Sequence, residues 1–158
     1  MAEFTHIDDD GRVRMVDVSE KAATQRMAVA CGKISMSPET LEKIRNSGVK
    51  KGNVLETARI AGVMAAKRAS DLIPMCHPIN ITHAQIDFTA DSESAAIEIR
   101  CEVRTMGQTG VEIEAITAVS IAAVTIYDMC KSYDRGMVIS DIRLVRKEGG
   151  KSGLFVAE

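Results

Sequence analysis

Glu112, Glu114, Asp128 and Lys131 stand in residues 111–131, VEIEAITAVSIAAVTIYDMCK, a stretch that is otherwise mostly small and apolar. Read as a helix at 100° per residue, Thr117, Ser120, Asp128 and Lys131 fall within an arc of about 80°, interrupted by Ile121 and Val124. Asp128 and Lys131 are three apart and therefore neighbours on that helix. The rest of the helix is too apolar to face water, so the pair reads as a buried acid and base. Burying ions rarely stabilises a fold, and unusual charge burial marks a site. Asp128 would keep Lys131 charged, while further lysines nearby would push it towards neutrality and proton transfer. Upstream, Val111-Glu112-Ile113-Glu114 alternates as a short strand does. That places both glutamates on one face, about 7 Å apart, in need of cations or donors if covered.

The available cations are Lys51, Lys67, Arg68, Lys131, Lys147 and Lys151, each next to a turn or an element end. His77 sits between Cys76 and Pro78, and these rigid flanks favour a positioned imidazole. Cys76 reads as a small buried hydrophobe rather than a nucleophile. Met75 and Ile113 read as apolar wall. Carboxylates and lysines without a metal motif suit proton transfer on a polyanionic small molecule, with lysines holding phosphates. The plainer alternative is a set of satisfied ion pairs with solvated lysines. A binding module for an anionic metabolite or a partner protein would carry the same charges.

Other templates do not match. Gly150-Lys151-Ser152 resembles the end of a phosphate-binding P-loop, but the glycine required upstream is Val145. There is no GxGxxG. His6, His77 and His83 form no ligand pattern with the cysteines, so no metal site is expected.

The elements that must hold these residues follow a mixed pattern. Residues 1–11 form a flexible lead-in closed by the Asp10-Gly11 turn, and 12–158 read as one domain. Residues 13–18 and 26–36 are β-prone. Ser37-Pro38-Glu39 starts a helix with an N-cap serine, a proline in the first turn and an acid at the positive dipole end. A second helix runs from about 53 to 69, and residues 70–78, bounded by prolines, are irregular. Residues 82–90 and 96–104 alternate around Asp91-Ser92-Glu93-Ser94, a hairpin. The long helix ends at Arg135-Gly136, residues 137–146 form a last strand, and 148–153 a flexible tail. This is an α+β order. The natural architecture is helices on one face of a mostly antiparallel sheet, ferredoxin-like.

The totals restrict the class. A chain of 158 residues with net charge −2 has no global attraction for nucleic acid or membrane, so any anion site must be a local cluster. Aromatic content of 3% argues against single-strand stacking platforms. Four dispersed cysteines without CxxC fit reduced thiols in a cytoplasmic protein. No signal peptide is visible, and the long helix contains too many polar breaks to span a membrane. That helix, apolar on most sides, calls for cover by a partner subunit.

KRASDLIPMCHP at 67–78, the stretch 111–131 and the GGKSG tail resemble the MoaC family, the molybdenum-cofactor biosynthesis protein C, cyclic pyranopterin monophosphate synthase. The likeness extends from MVDVSEKAATQRMAVA to GGKSG. It departs at Met75, Ile113 and Ala69, where the family often has Leu, Met and Thr. The resemblance implies a ferredoxin-like fold and a homohexamer, a trimer of dimers with the site at a subunit interface. It implies a lyase, taking 3′,8-cyclo-7,8-dihydroguanosine 5′-triphosphate to cyclic pyranopterin monophosphate with release of pyrophosphate. A radical GTP cyclase would supply that substrate. No resident cofactor is implied, though Mg²⁺ could accompany the triphosphate. Carried over residue by residue, Asp128, Lys131, Lys51 and His77 are catalytic. Met75, Cys76, His77, Glu112, Ile113, Glu114, Lys67, Lys147 and Lys151 meet the substrate.

Overall fold

The computed structural model describes residues 6–8 and 10–157. The elements are β1 (Thr24–Ser35), α1 (Pro38–Arg45), α2 (Val54–Ala66), α3 (Ala69–Leu72), β2 (Ile81–Asp91), β3 (Ala96–Gly107), α4 (Glu112–Cys130), β4 (Val138–Glu148) and β5 (Phe155–Val156). Strand order in the one sheet is β2-β3-β1-β4-β5, and every pairing is antiparallel. The first four strands and their helical crossovers give the βαββαβ order of a ferredoxin-like fold, as expected. β5 is an addition at the edge.

Alternation decides which side of the sheet is covered. Ile97, Ile99, Cys101 and Val103 of β3 are buried, whereas Glu98, Arg100 and Arg104 on alternate positions are exposed. On β1, Ala28, Ala30 and Ile34 face the same covered side. Gly32 lies under α4, where a side chain would run into Val119. α4 supplies Ala115, Ala118, Val119, Ala122, Ala123 and Ile126 to the core, all fully buried. Length and composition alone would let α4 cross a membrane. Its small residues instead allow close approach to the sheet and to α2. At the crossing of α2 and α4, a side chain on Gly62 would meet Ile86 Cδ1 and the Ala118 carbonyl. Gly62→Ala is therefore expected to destabilise. Overpacking of about 1–3 kcal/mol should exceed the gain in helix propensity of about 1 kcal/mol, lowering the urea midpoint.

Several local expectations hold. Ser37 caps α1, its Oγ accepting the Thr40 N–H at 3.2 Å. Asn53 caps α2 in the same manner. The β2–β3 hairpin turns where expected, and all four cysteines are free thiols.

Five local expectations are corrected. Residues 13–18 form no strand, because Val13 pairs only with Ile7 in an isolated bridge and a β-prone run needs a continuous edge to pair with. Residues 111–114 are not a strand either. Val111 is the N-cap and Glu112 opens α4, where the positive helix end favours the two acids. The helix predicted over 53–69 breaks at Lys67-Arg68, and a short α3 occupies part of the segment expected to be irregular. α4 stops at Cys130 rather than Arg135, since Asp134 draws the following turn onto Ser37 by accepting its N–H at 2.7 Å. The strand expected over 137–146 runs from Val138 to Glu148, taking in the first residue of the expected tail, and β5 beyond that tail pairs with Arg146 and Lys147. Part of the lead-in (1–5 and Asp9) lies outside the described residues; in the rest, the Gly11 N–H closes a turn onto the Asp8 carbonyl.

Candidate active site

The charges of α4 separate to its two ends. At the C-terminal end, Asp128 accepts from two lysines, Lys131 Nζ on Oδ1 at 2.7 Å and Lys51 Nζ on Oδ2 at 3.2 Å. Lys51 also donates to the Asp128 carbonyl at 2.7 Å, satisfying one of the orphan acceptors of the helix end. Lys131 is the C-cap itself. The ammonium groups hold the Asp128 carboxyl below its usual range, Lys131 first and Lys51 second. Asp128 in turn raises Lys131. The resting pair at neutral pH is a carboxylate and an ammonium, a base and an acid side by side.

Two expectations change here. Asp128 and Lys131 are not buried within the chain; their side chains are 56% and 52% exposed. The face they share, with Ile113 and Val124, points away from both the sheet and α2. Nor is Lys131 pushed towards neutrality, because the Asp128 carboxylate it touches raises it and outweighs desolvation.

At the N-terminal end, Glu112 Oε1 accepts from Lys147 Nζ at 2.7 Å, with both side chains about three-quarters buried. Lys147 reaches it because β4 pairs Lys147 with Ala28 on the covered side of the sheet. On a helix, positions two apart diverge, so Glu112 and Glu114 do not share a face. Glu114 turns inward and is 2% exposed. The Cys76 thiol donates to its Oε1 at 3.5 Å, and its Oε2 has no partner among the described residues. Burial, and then the Glu112 charge, push the Glu114 carboxyl up. Burial also pushes the Cys76 thiol up to about 12, with Glu114 adding to it. Cys76 is therefore held as the thiol at neutral pH. His77 Nε2–H donates to the Val16 carbonyl at 2.8 Å, tying the N-terminal segment down beside this cluster. Met75 is half-buried and Ile113 is 39% exposed.

Beside Lys147 opens a cleft of about 1050 Å³, whose lining includes Lys21, Arg26, Glu112, Lys147, Gly149 and Lys151. The glycines of the tail are required here. Gly149 and Gly150 have φ of 94° and 74°, and a side chain on Gly150 would overlap the Arg26 guanidinium. Arg26 also donates to the Gly107 and Gln108 carbonyls at 3.3 Å, joining two turns around the cleft.

Comparison with known proteins decides the family. The family model described as MoaC family matches residues 15–150. The chain belongs to the MoaC family. Among its MoaC relatives, a protein of Desulforapulum autotrophicum is 63% identical over 158 residues, covering 100% of this chain and 97% of the relative. One of Desulfatibacillum aliphaticivorans is 60% identical, covering 100% and 99%. One of Thermoanaerobacter pseudethanolicus is 60% identical over 155 residues, covering 98% of each. All three are named cyclic pyranopterin monophosphate synthase.

In this MoaC chain the residues expected at one site fall into two groups. Lys51, Asp128 and Lys131 meet at one end of α4. Cys76, Glu112, Glu114 and Lys147 meet at the other, with Met75, His77, Ile113 and Lys151 near them. Lys67, the exposed C-cap of α2, joins neither group by an ion pair among the described residues. α4 has 19 residues, so the groups are about 25 Å apart at 1.5 Å per residue. Arg26 and Lys21 were missed as cleft residues. Arg26 reads in sequence as the start of a strand, and only the register that sets it beside Gly107 and Gly149 shows its place.

Proposed function

We propose that the chain is a cyclic pyranopterin monophosphate synthase, a phosphorus–oxygen lyase. It takes 3′,8-cyclo-7,8-dihydroguanosine 5′-triphosphate, supplied by a radical GTP cyclase, and releases pyrophosphate. The observation that carries the reading is the full-length likeness at 63% to a relative of that name. The charges support it in kind. Lys147, Lys151, Lys21 and Arg26 bring four cations that could meet phosphates to one cleft, among Asp17, Glu20, Glu112 and Glu148, in a protein of net charge −2. Cyclisation needs a sugar oxygen to bond to the α-phosphorus as the bond to the β-phosphate oxygen breaks. Lysines stabilise the departing charge. Rearrangement of the rings needs protons moved, for which the Asp128 carboxylate and the Lys131 ammonium are the resting base and acid. Lys51 holds Asp128 in place and His77 orders the wall. Mg²⁺ accompanying the triphosphate is compatible with this role; the protein groups named need no resident cofactor.

The separation of the two groups supports a site shared between subunits. About 25 Å is longer than a nucleoside triphosphate, yet the strip of α4 between them, with Val124 51% exposed, is apolar and outward. Ile60 and Met64 of α2 are outward too, 62% and 51% exposed. A twofold pairing of two chains across this face, α4 antiparallel to α4, brings the Glu112 end of one chain to the Asp128 end of the other. Three such dimers would make the hexamer. The protein is placed in the cytoplasm on this reading, with its substrate and the cyclase that supplies it.

The test is incubation of the purified protein with the cyclised GTP derivative. Stoichiometric pyrophosphate and a pterin product are expected. Binding without turnover would favour an anion-binding module and end the enzymatic reading.

A further inference from the structure

We propose that Tyr133 is a positioning residue that sets Lys51 against Asp128; the inference rests on the catalytic role proposed above for that cluster. Lys51 lies in the turn between α1 and α2, whose residues 50–53 are exposed. Within the turn, Gly52, at φ 104°, returns its N–H to the Val49 carbonyl at 3.0 Å. Among the described residues, one hydrogen bond ties the backbone of this turn to another part of the chain. The Lys50 N–H donates to the Tyr133 hydroxyl at 3.3 Å.

Tyr133 is itself well anchored. Its N–H donates to the Cys130 carbonyl at 2.8 Å, and the Asp134 N–H donates to the same oxygen at 3.2 Å. Asp134 in turn accepts from Ser37 and Gly136, at 2.7 and 2.9 Å. The Lys43 ammonium lies 5.5 Å from the Tyr133 ring centroid, so the phenol is held from the α1 side too. The segment that carries the phenol therefore continues directly from the α4 turn that carries Asp128. Both partners of Lys51, its carboxylate and its backbone tether, belong to one rigid frame. Val49 and Val54 anchor the flanks of the turn in the core, and the hydroxyl adds the polar tether at Lys50, next to Lys51 itself.

Tyr133→Phe removes the hydroxyl and keeps the ring beneath Lys43. The first readout is independent of activity: brief acetylation of the native assembly with acetic anhydride, followed by peptide mass spectrometry. Lys51 should be labelled severalfold faster than in the parent, since a lysine released from its carboxylate is more reachable, while Lys67 labelling stays the same. The second readout is turnover of the cyclised GTP derivative, where kcat should fall about 3–10-fold, with KM little changed, from modest misplacement of a reacting group. Lys51 labelling at the parental rate overturns the proposal. So does an equal rise at Lys51 and Lys67, which would mean general loosening. Faster Lys51 labelling with parental kcat overturns it as well. A parent that does not turn over would refute the proposed activity, and acetylation would still decide whether Tyr133 holds Lys51.

Discussion

Coexpression of Lys51→Ala and Lys147→Ala chains is expected to restore activity that neither variant has alone. Each single variant should fall to near background, because losing a group that stabilises charge costs on the order of 10²–10³-fold. The two lysines stand at opposite ends of α4, beside Asp128 and Glu112. If one substrate is gripped by the Asp128 end of one chain and the Lys147 end of another, a mixed dimer has one site with both lysines lost and one intact. Random pairing makes half of the dimers mixed, so about a quarter of all sites recover in a twofold assembly. A mixture as inactive as its components would show that both lysines act within one chain or that the dimer pairs by another face. If exposed apolar residues such as Val124 are what the pairing covers, dissociating conditions should abolish parental activity in step with loss of the dimer.

Much of the fold was legible because its signals are local. Ser37-Pro38-Glu39 announced a helix start, and Asp91-Ser92-Glu93-Ser94 a hairpin between alternating strands; both are found there. The signals at 111–114 were local too but contradictory. Four residues alternate as a strand would, yet the apolar run behind them is helical, and the helix extends back over Glu112 because Lys147 and the positive helix end receive its charge. Burial of Asp128 was misread for a different reason. Apolar neighbours predict a covered helix, but within one chain the sheet and α2 cover only part of it.

The site was legible as a set of residues and not as an arrangement. Cys76 and Glu114 touch across 38 positions of sequence. Lys147 points to the covered side only because β4 shifts register between Leu144 and Arg146, opposite Ala30 and Val29. A single residue fewer there would turn it to the other face. Arg26 entered the cleft through the register of β1 with β3, which no spacing along the chain displays.

The account depends most on Asp128 as a group that acts rather than one that merely satisfies two lysines. Its carboxylate touches Lys51 and Lys131, is more than half exposed, and is held ionised by both. An exposed ion pair contributes little to stability. Asp128→Asn keeps the shape and one acceptor oxygen while removing the base, so the variant should fold, assemble and bind the cyclised GTP derivative as the parent does. The direct measurement is single-turnover release of pyrophosphate by this variant at saturating protein, alongside its assembly state by sedimentation. A native assembly whose release is slower by about 10²–10⁴-fold is the predicted result. A native assembly releasing pyrophosphate at close to the parental rate would contradict the catalytic role of Asp128.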